Sequence, residues 1–252
     1  MLLDLSKIAV VILAAGKGTR LNCVDKPKVM LEIGGKPIVA YLVETLKQIG
    51  FSKEQICLVV GFKKEKIQEY FKDEVQYAVQ EQQLGTGHAA YVGIKSLSPE
   101  IEQVLVVGGD DGAFFTPATI LNFIRQHLDN ACTVSLMSLE IDNPAGFGRI
   151  VRENGEIKMI EKEYQTEEQK KIKEVGIGTY LFDRKWFEAM FLHMPKMAKL
   201  GEYGINPAIA IAQTENKKVQ VVKLANINEW HGINTPEQLE LANQLKKENN
   251  YI

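Results

Sequence analysis

The chain has 252 residues, with 30 lysines and arginines against 32 aspartates and glutamates, and a formal net charge of −2. Its 45% apolar and 25% charged content is that of a globular protein, long enough for one large α/β domain or two small ones. Without a basic excess to neutralise a polyanion, a general nucleic-acid or membrane-surface binder is disfavoured, and any positive potential must be local. Cys23, Cys57 and Cys132 are far apart and show no metal-ligand spacing, and His88, His127, His193 and His231 form no zinc signature. Reduced thiols in a cytoplasmic protein are expected, with no secretory leader and no membrane span.

In chain order, Lys7–Ala14 reads as a continuous apolar strand, as a central parallel strand covered on both faces should. Pro37–Ile49 has helical spacing and stops at Gly50. Strand Ile56–Val60, helix Lys64–Phe71, strand Val75–Val79, helix Thr86–Ser96 and strand Gln103–Val107 continue the alternation, followed by helix Pro117–Leu128 and strand Thr133–Leu139. After about Asn143 the pattern loosens. "FGRIV" and "EIKMIEK" flank a β-hairpin turning at Asn154-Gly155, and "EYQTEEQKKIKE" reads as a short exposed helix or flap. Strand Gly178–Phe182, helices Trp186–Phe191 and Pro207–Gln213, and strand Val219–Lys223 follow. The last helix, Thr235–Lys247, carries Thr235 as N-cap, Pro236 at N1 and Gln238 three residues after the cap. These elements predict an α/β, Rossmann-like, mostly parallel sheet with helices on both faces and a small inserted β lobe. The whole chain is expected to be one domain, residues 1–143 holding a nucleotide and residues 144–252 an acceptor.

Ligands of open α/β sheets sit beyond the carboxyl ends of the strands, and four stretches fall there. "LAAGKGTR" places Gly16 and Gly18 where backbone N–H groups can converge on an anion, and adds Thr19 and Arg20. Arg20 offers a planar fork for phosphate oxygens, and Lys28, stiffened by Pro27, a movable point charge. In "QEQQLGTGHAA", Gln80 and Gln83 have the donors and acceptors to read a nucleobase edge, and Gly85 and Thr86 open a helix whose first amides are free. A glycine-tolerant turn with surface glutamines explains that stretch equally well. "VLVVGGDDG" delivers Asp110 and Asp111, of which Asp110 is a natural anchor for Mg²⁺ and Asp111 a ligand or a turn residue. Asn234, in "GIN", can complete a metal site or serve as a cap. Together these parts describe nucleotidyl transfer by positioning and electrostatics.

The segments "VVILAAGKGTRL", "KPKVM", "GGKPI", "QEQQLGTGHAA", "GGD", "NPAGFGRIVRENG", "IEKEYQTEEQKKIKEV", "GEYG" and "GIN" run almost the length of the chain. In this order they resemble the sugar-1-phosphate nucleotidyltransferases, most closely the uridylyltransferase domain that forms UDP-N-acetylglucosamine in a bifunctional bacterial enzyme. The resemblance implies the nucleotide-diphospho-sugar transferase fold. It implies that Leu13, Ala14, Ala15 and Gly16 line the nucleotide, with Gly18 and Arg20 at its phosphates, and that Lys28 is catalytic. It further implies uracil reading by Gln80, Gln83, Gly85 and Thr86, Mg²⁺ on Asp110 and Asn234, and sugar contact at Gly148 and Glu161.

Departures gather on the acceptor side. Gly108 stands where an aromatic residue often precedes "GD", Asp111-Gly112 replaces an apolar segment, and Gly176 replaces an asparagine that contacts the sugar. The partners expected are therefore UTP and a sugar 1-phosphate, N-acetylglucosamine 1-phosphate or a relative, with no β-helix acetyltransferase domain. Cytidylyl or thymidylyl transfer to another phosphate is the alternative. A choline-like acceptor would need a cage such as Phe114, Phe115, Asp111 and Glu161. A nucleotide sensor without turnover would need a damaged Lys28, Arg20 or Asp110.

Overall fold

Strands buried on both faces must lie at the centre of a sheet, and the computed structural model, which describes residues 3–18, 21, 23–153 and 155–249, places them there. The strands are β1 (Ile8–Ala14), β2 (Glu32–Ile33), β3 (Lys36–Pro37), β4 (Ile56–Val60), β5 (Gln76–Val79), β6 (Gln103–Gly108), β7 (Val134–Glu140), β8 (Arg149–Glu153), β9 (Glu156–Ile160), β10 (Glu174–Asp183) and β11 (Val219–Lys223). The helices are α1 (Ile38–Ile49), α2 (Lys64–Phe71), α3 (Thr86–Ser96), α4 (Pro117–Asp129), α5 (Glu167–Lys170), α6 (Arg184–Phe191), α7 (Pro207–Thr214) and α8 (Pro236–Asn249). Among the described residues none is long and apolar enough to cross a membrane.

The main sheet runs β11-β7-β10-β6-β1-β4-β5, parallel throughout except for β10. Side chains alternate along β1 and β4. Ile8, Val10, Ile12 and Ala14 join Ile56, Leu58 and Val60 in one core layer, while Ala9, Val11 and Ala15 join Cys57 and Val59 in the other. Each fully buried Val, Ile or Leu contributes about 1.5–3 kcal/mol relative to exposure, so a one-residue slip of β1 is strongly disfavoured. All six parallel strands therefore end on one edge, which carries Ala15, Gln80 and Gly109.

The predicted strand at Gly178–Phe182 is longer, covers Glu174–Asp183 and is antiparallel to both neighbours. Its register shifts between Gly176 and Tyr180, so the pattern of a regular strand is broken where Gly176 and Gly178 sit. Because β10 runs backwards, its first residues project past β6 onto the same edge as the phosphate loop. The small hairpin β2–β3, with Gly34 and Gly35 at its turn, was not foreseen, because two-residue strands leave no periodicity. The inserted lobe is the β8–β9 hairpin, where Glu153 faces Glu156, joined to β10 through Val175 and Arg149. Asn154 lies outside the described residues, and Gly155 has φ +81°.

Candidate active site

One cavity of about 590 Å³ opens along the carboxyl edge of the sheet, between the ends of β1 and β6 and the β8–β9 lobe. Leu13, Ala15, Gly16, Gly18 and Lys28 line one side of it. Ala14 does not, because strand alternation sends its side chain into the opposite core layer. Thr19 and Arg20 lie outside the described residues.

Lys28 opens a short 3₁₀ turn, Lys28–Met30, whose Val29 and Met30 are buried. Pro27 is extended (φ −61°, ψ 150°) and Met30 N–H donates to its carbonyl at 2.9 Å, so the turn is anchored at both ends. The Lys28 ammonium donates to the Asp110 carboxylate and, at 2.9 Å, to Asn234 Oδ1. The three groups come from positions 28, 110 and 234, so only the tertiary fold assembles them. Asn234 is held in turn through its own N–H, which donates to Gln238 Oε1 at 2.8 Å. Gln238 also accepts from Thr235 N–H at 3.2 Å and donates its N–H to Thr235 Oγ1 at 3.3 Å, which is the predicted capping box of α8.

Gln80 is buried, and its amide donates to the Gly85 carbonyl at 3.1 Å and meets His88 Nδ1 at 3.0 Å. Gln83 donates to the Ala15 carbonyl at 2.8 Å, tying this loop to the end of β1. Gly85 has φ +108°, and a Cβ there would stand 2.6 Å from the Tyr203 carbonyl oxygen. That carbonyl accepts from Gly87 N–H at 2.7 Å, and Thr86 Oγ1 accepts from Ile205 N–H at 3.1 Å. Both glutamines thus line the cavity, Gln80 buried in its wall and Gln83 exposed at its surface.

On the other side, Glu161 accepts from Asn206 Nδ2 at 2.6 Å, and the buried Tyr180 hydroxyl donates to Asn206 Oδ1. Burial raises the Glu161 carboxyl, against the hydrogen bond from Asn206. Gly148 and Gly176 line the cavity with the Met159 methyl group against both; a Cβ at Gly176 would lie 2.7 Å from it. Asp111 also faces the cavity and is no turn residue alone, since its Oδ1 accepts from the Trp230 indole N–H at 2.9 Å. Burial, and then the Asp110 charge, push the Asp111 carboxyl up to about 8. Phe114 and Phe115 form no cage: Phe115 is buried in the core, and Phe114 packs edge-on to His231, 4.7 Å between centroids. The aromatic wall is Trp230, Phe147 and Tyr180, which the residue pattern did not reveal because two of the three stand in irregular loops.

Asp110 and Asn234 offer two oxygens beside one cavity, a set suited to a hard cation that keeps other positions for phosphate oxygens and water. No group of three or more His, Cys, Asp or Glu among the described residues could hold a metal by itself.

A family model described as nucleotidyl transferase matches residues 9–249. This chain belongs to the nucleotidyl transferase family. Among its relatives, the bifunctional protein GlmU of Carboxydothermus hydrogenoformans is 36% identical over 231 residues, 91% of this chain and 50% of that protein. GlmU of Symbiobacterium thermophilum is 36% identical over 94% of this chain and 50% of its own length. The chain thus spans about half the length of these relatives. In fold it is similar to a putative glucose-1-phosphate thymidylyltransferase from Bacillus anthracis, with TM-score 0.77, 22% identity and 95% of each chain covered. A UDP-glucose pyrophosphorylase solved with UDP-glucose has TM-score 0.76 and 20% identity, with 96% of this chain and 99% of that one covered.

Proposed function

We propose that the chain transfers a uridylyl group from UTP to a sugar 1-phosphate, N-acetylglucosamine 1-phosphate or a related sugar, and releases pyrophosphate. The observation behind this reading is the meeting of Lys28, Asp110 and Asn234 in one hydrogen-bonded group beside the Gln80–Gln83 loop. An acceptor phosphate oxygen forms the new bond to the α-phosphorus as the bond to the β-phosphate oxygen breaks, with pyrophosphate leaving in line. Lys28 places its charge on the α-phosphate oxygens, where negative charge builds up, and no covalent enzyme intermediate is needed. Mg²⁺, for which Asp110 and Asn234 fit, would neutralise phosphate charge and orient the two reactants. Gln80 and Gln83 hold the base on the side of α3, and Glu161 holds the sugar from the lobe. The free thiols Cys23, Cys57 and Cys132 suit a reducing cytoplasm.

Pyrophosphate release, measured with Mg²⁺ for four nucleoside triphosphates against a panel of sugar 1-phosphates and phosphocholine, tests the reading. UTP with one sugar 1-phosphate is the expected productive pair. Equal turnover of CTP or dTTP would remove the uridylyl assignment, and tight UTP binding without pyrophosphate release from any acceptor would favour a sensor.

A further inference from the structure

The carboxyl of Asp111 is held more firmly than a turn residue requires. Its partner is Trp230, 119 positions away, whose indole is itself fixed edge-on against Phe147 with centroids 5.2 Å apart. Room for the other oxygen, Oδ2, exists only because positions 108 and 178 are glycine; a Cβ added at either would run into it. Gly108 belongs to β6 and Gly178, with φ +65°, to the irregular stretch of β10. Two unlike strands have therefore been cleared for one carboxyl. Oδ1 is taken by Trp230, whereas Oδ2 has no hydrogen-bond partner among the described residues.

We propose that Asp111 selects the acceptor: Oδ2 shares a hydrogen bond with a hydroxyl or amino group on the carbon skeleton of the phosphate ester that is to be nucleotidylated. The inference rests on the transfer reaction proposed above and names the feature its acceptor must carry. A site built around a fixed hydrogen bond rejects ligands that lack the matching donor more sharply than a merely apolar pocket does. Sugar phosphates with a free hydroxyl or amine facing this wall are accordingly good acceptors, and phosphocholine, which has no such donor, is a poor one. Trp230 acts through Asp111 and is a positioning residue.

The test is kcat/KM for a productive sugar 1-phosphate and its single-deoxy analogues, with KM for UTP in parallel, on wild type, Asp111→Ala, Asp111→Leu and Trp230→Phe. One analogue is expected to lose about 10- to 100-fold on wild type. On Asp111→Ala, parent and analogue become alike, and KM for UTP stays within about twofold. Trp230→Phe, which keeps the carboxyl, raises acceptor KM while sparing UTP. Asp111→Leu roughly preserves the volume should the alanine variant not fold, and, having no polar group, it also loses the discrimination. If wild type and both Asp111 variants rank parent and analogues identically, or acceptor and UTP suffer equally, the inference is overturned while the transfer reaction stands. If wild type binds UTP but uses no sugar phosphate at all, the proposed reaction itself falls, and this inference with it.

Discussion

Lys28 shows how one side chain links backbone geometry to chemistry. Its turn is pinned by Pro27 and two buried neighbours, and its ammonium lies between Asp110 and Asn234. In the proposed transfer its charge acts where charge develops, so Lys28→Ala is expected to lower kcat by about 10²–10³-fold, with UTP affinity changed far less. A KM effect with unchanged kcat, read from steady-state rates, would instead make it a binding residue. His127 illustrates a buried group with no part in the reaction. Its ring nitrogens meet Ser135 Oγ at 2.8 Å and Gln103 Oε1 at 3.0 Å, and burial lowers it from 6.5 to about 4. Between those two pH values the unfolded chain takes up a proton that the native state refuses. The contribution of His127 is therefore full above pH 6.5 and falls as pH drops towards 4, by about 3 kcal/mol in all, while the raised carboxyl of Asp111 acts in the opposite direction over the same range. The stability difference between wild type and His127→Gln, read from urea midpoints at several pH values, should therefore shrink as pH drops through this range. An unchanged slope in the variant would assign the effect to other groups.

Among elements, α3 packs tightly on the central strands β1 and β4. A Cβ at Gly93 would come 2.5 Å from Val11 and 2.6 Å from Val59 side-chain carbons, so the helix rests almost directly on β1 and β4. Gly93→Ala sets a gain of about 0.8–1 kcal/mol in helix propensity against about 1–3 kcal/mol of overpacking. Overpacking wins, and a net loss of about 1 kcal/mol should appear in the urea midpoint. A stabilised variant would mean that α3 can shift outward. The elements most legible in the sequence were of this kind. The first ten or so are strongly periodic and bounded by Pro, Gly or caps, and Gly50 and Thr235 act as read. What escaped was the first part of β10, before the strand expected at Gly178–Phe182, because the bulge at Gly176–Tyr180 breaks the two-residue period, and the short β2–β3 hairpin. Site residues on motifs at strand ends were legible for the same reason: the parallel order brings those ends to one edge. Of residues 13–16, Ala14 alone does not line the cavity, because a motif match does not state which face a strand residue shows. Trp230, Asn206 and Tyr180 had no local signal, since their role follows from contacts with Asp111 and Glu161 far away in the chain.

At the level of the whole molecule, the cavity lies between groups drawn from both halves of the chain, so ligand binding should couple to global stability. UTP with Mg²⁺ at about 100 times its dissociation constant should add about 2.7 kcal/mol. For a chain of this length that raises Tm by about 5–10 °C, and a chelator should remove most of the gain. An equal rise with UTP in chelator would detach Asp110 and Asn234 from metal binding. Attack on the α-phosphorus with pyrophosphate leaving is tested by following the phosphorus atoms themselves. UTP labelled at the α- or at the γ-phosphate is incubated with Mg²⁺ and a sugar 1-phosphate panel, on wild type and Lys28→Ala. The account predicts that the α label enters a nucleotide sugar while the γ label leaves as pyrophosphate, one for one, and that both transfers collapse in the variant. Appearance of the γ label as orthophosphate, or in the acceptor with UDP left behind, would contradict it.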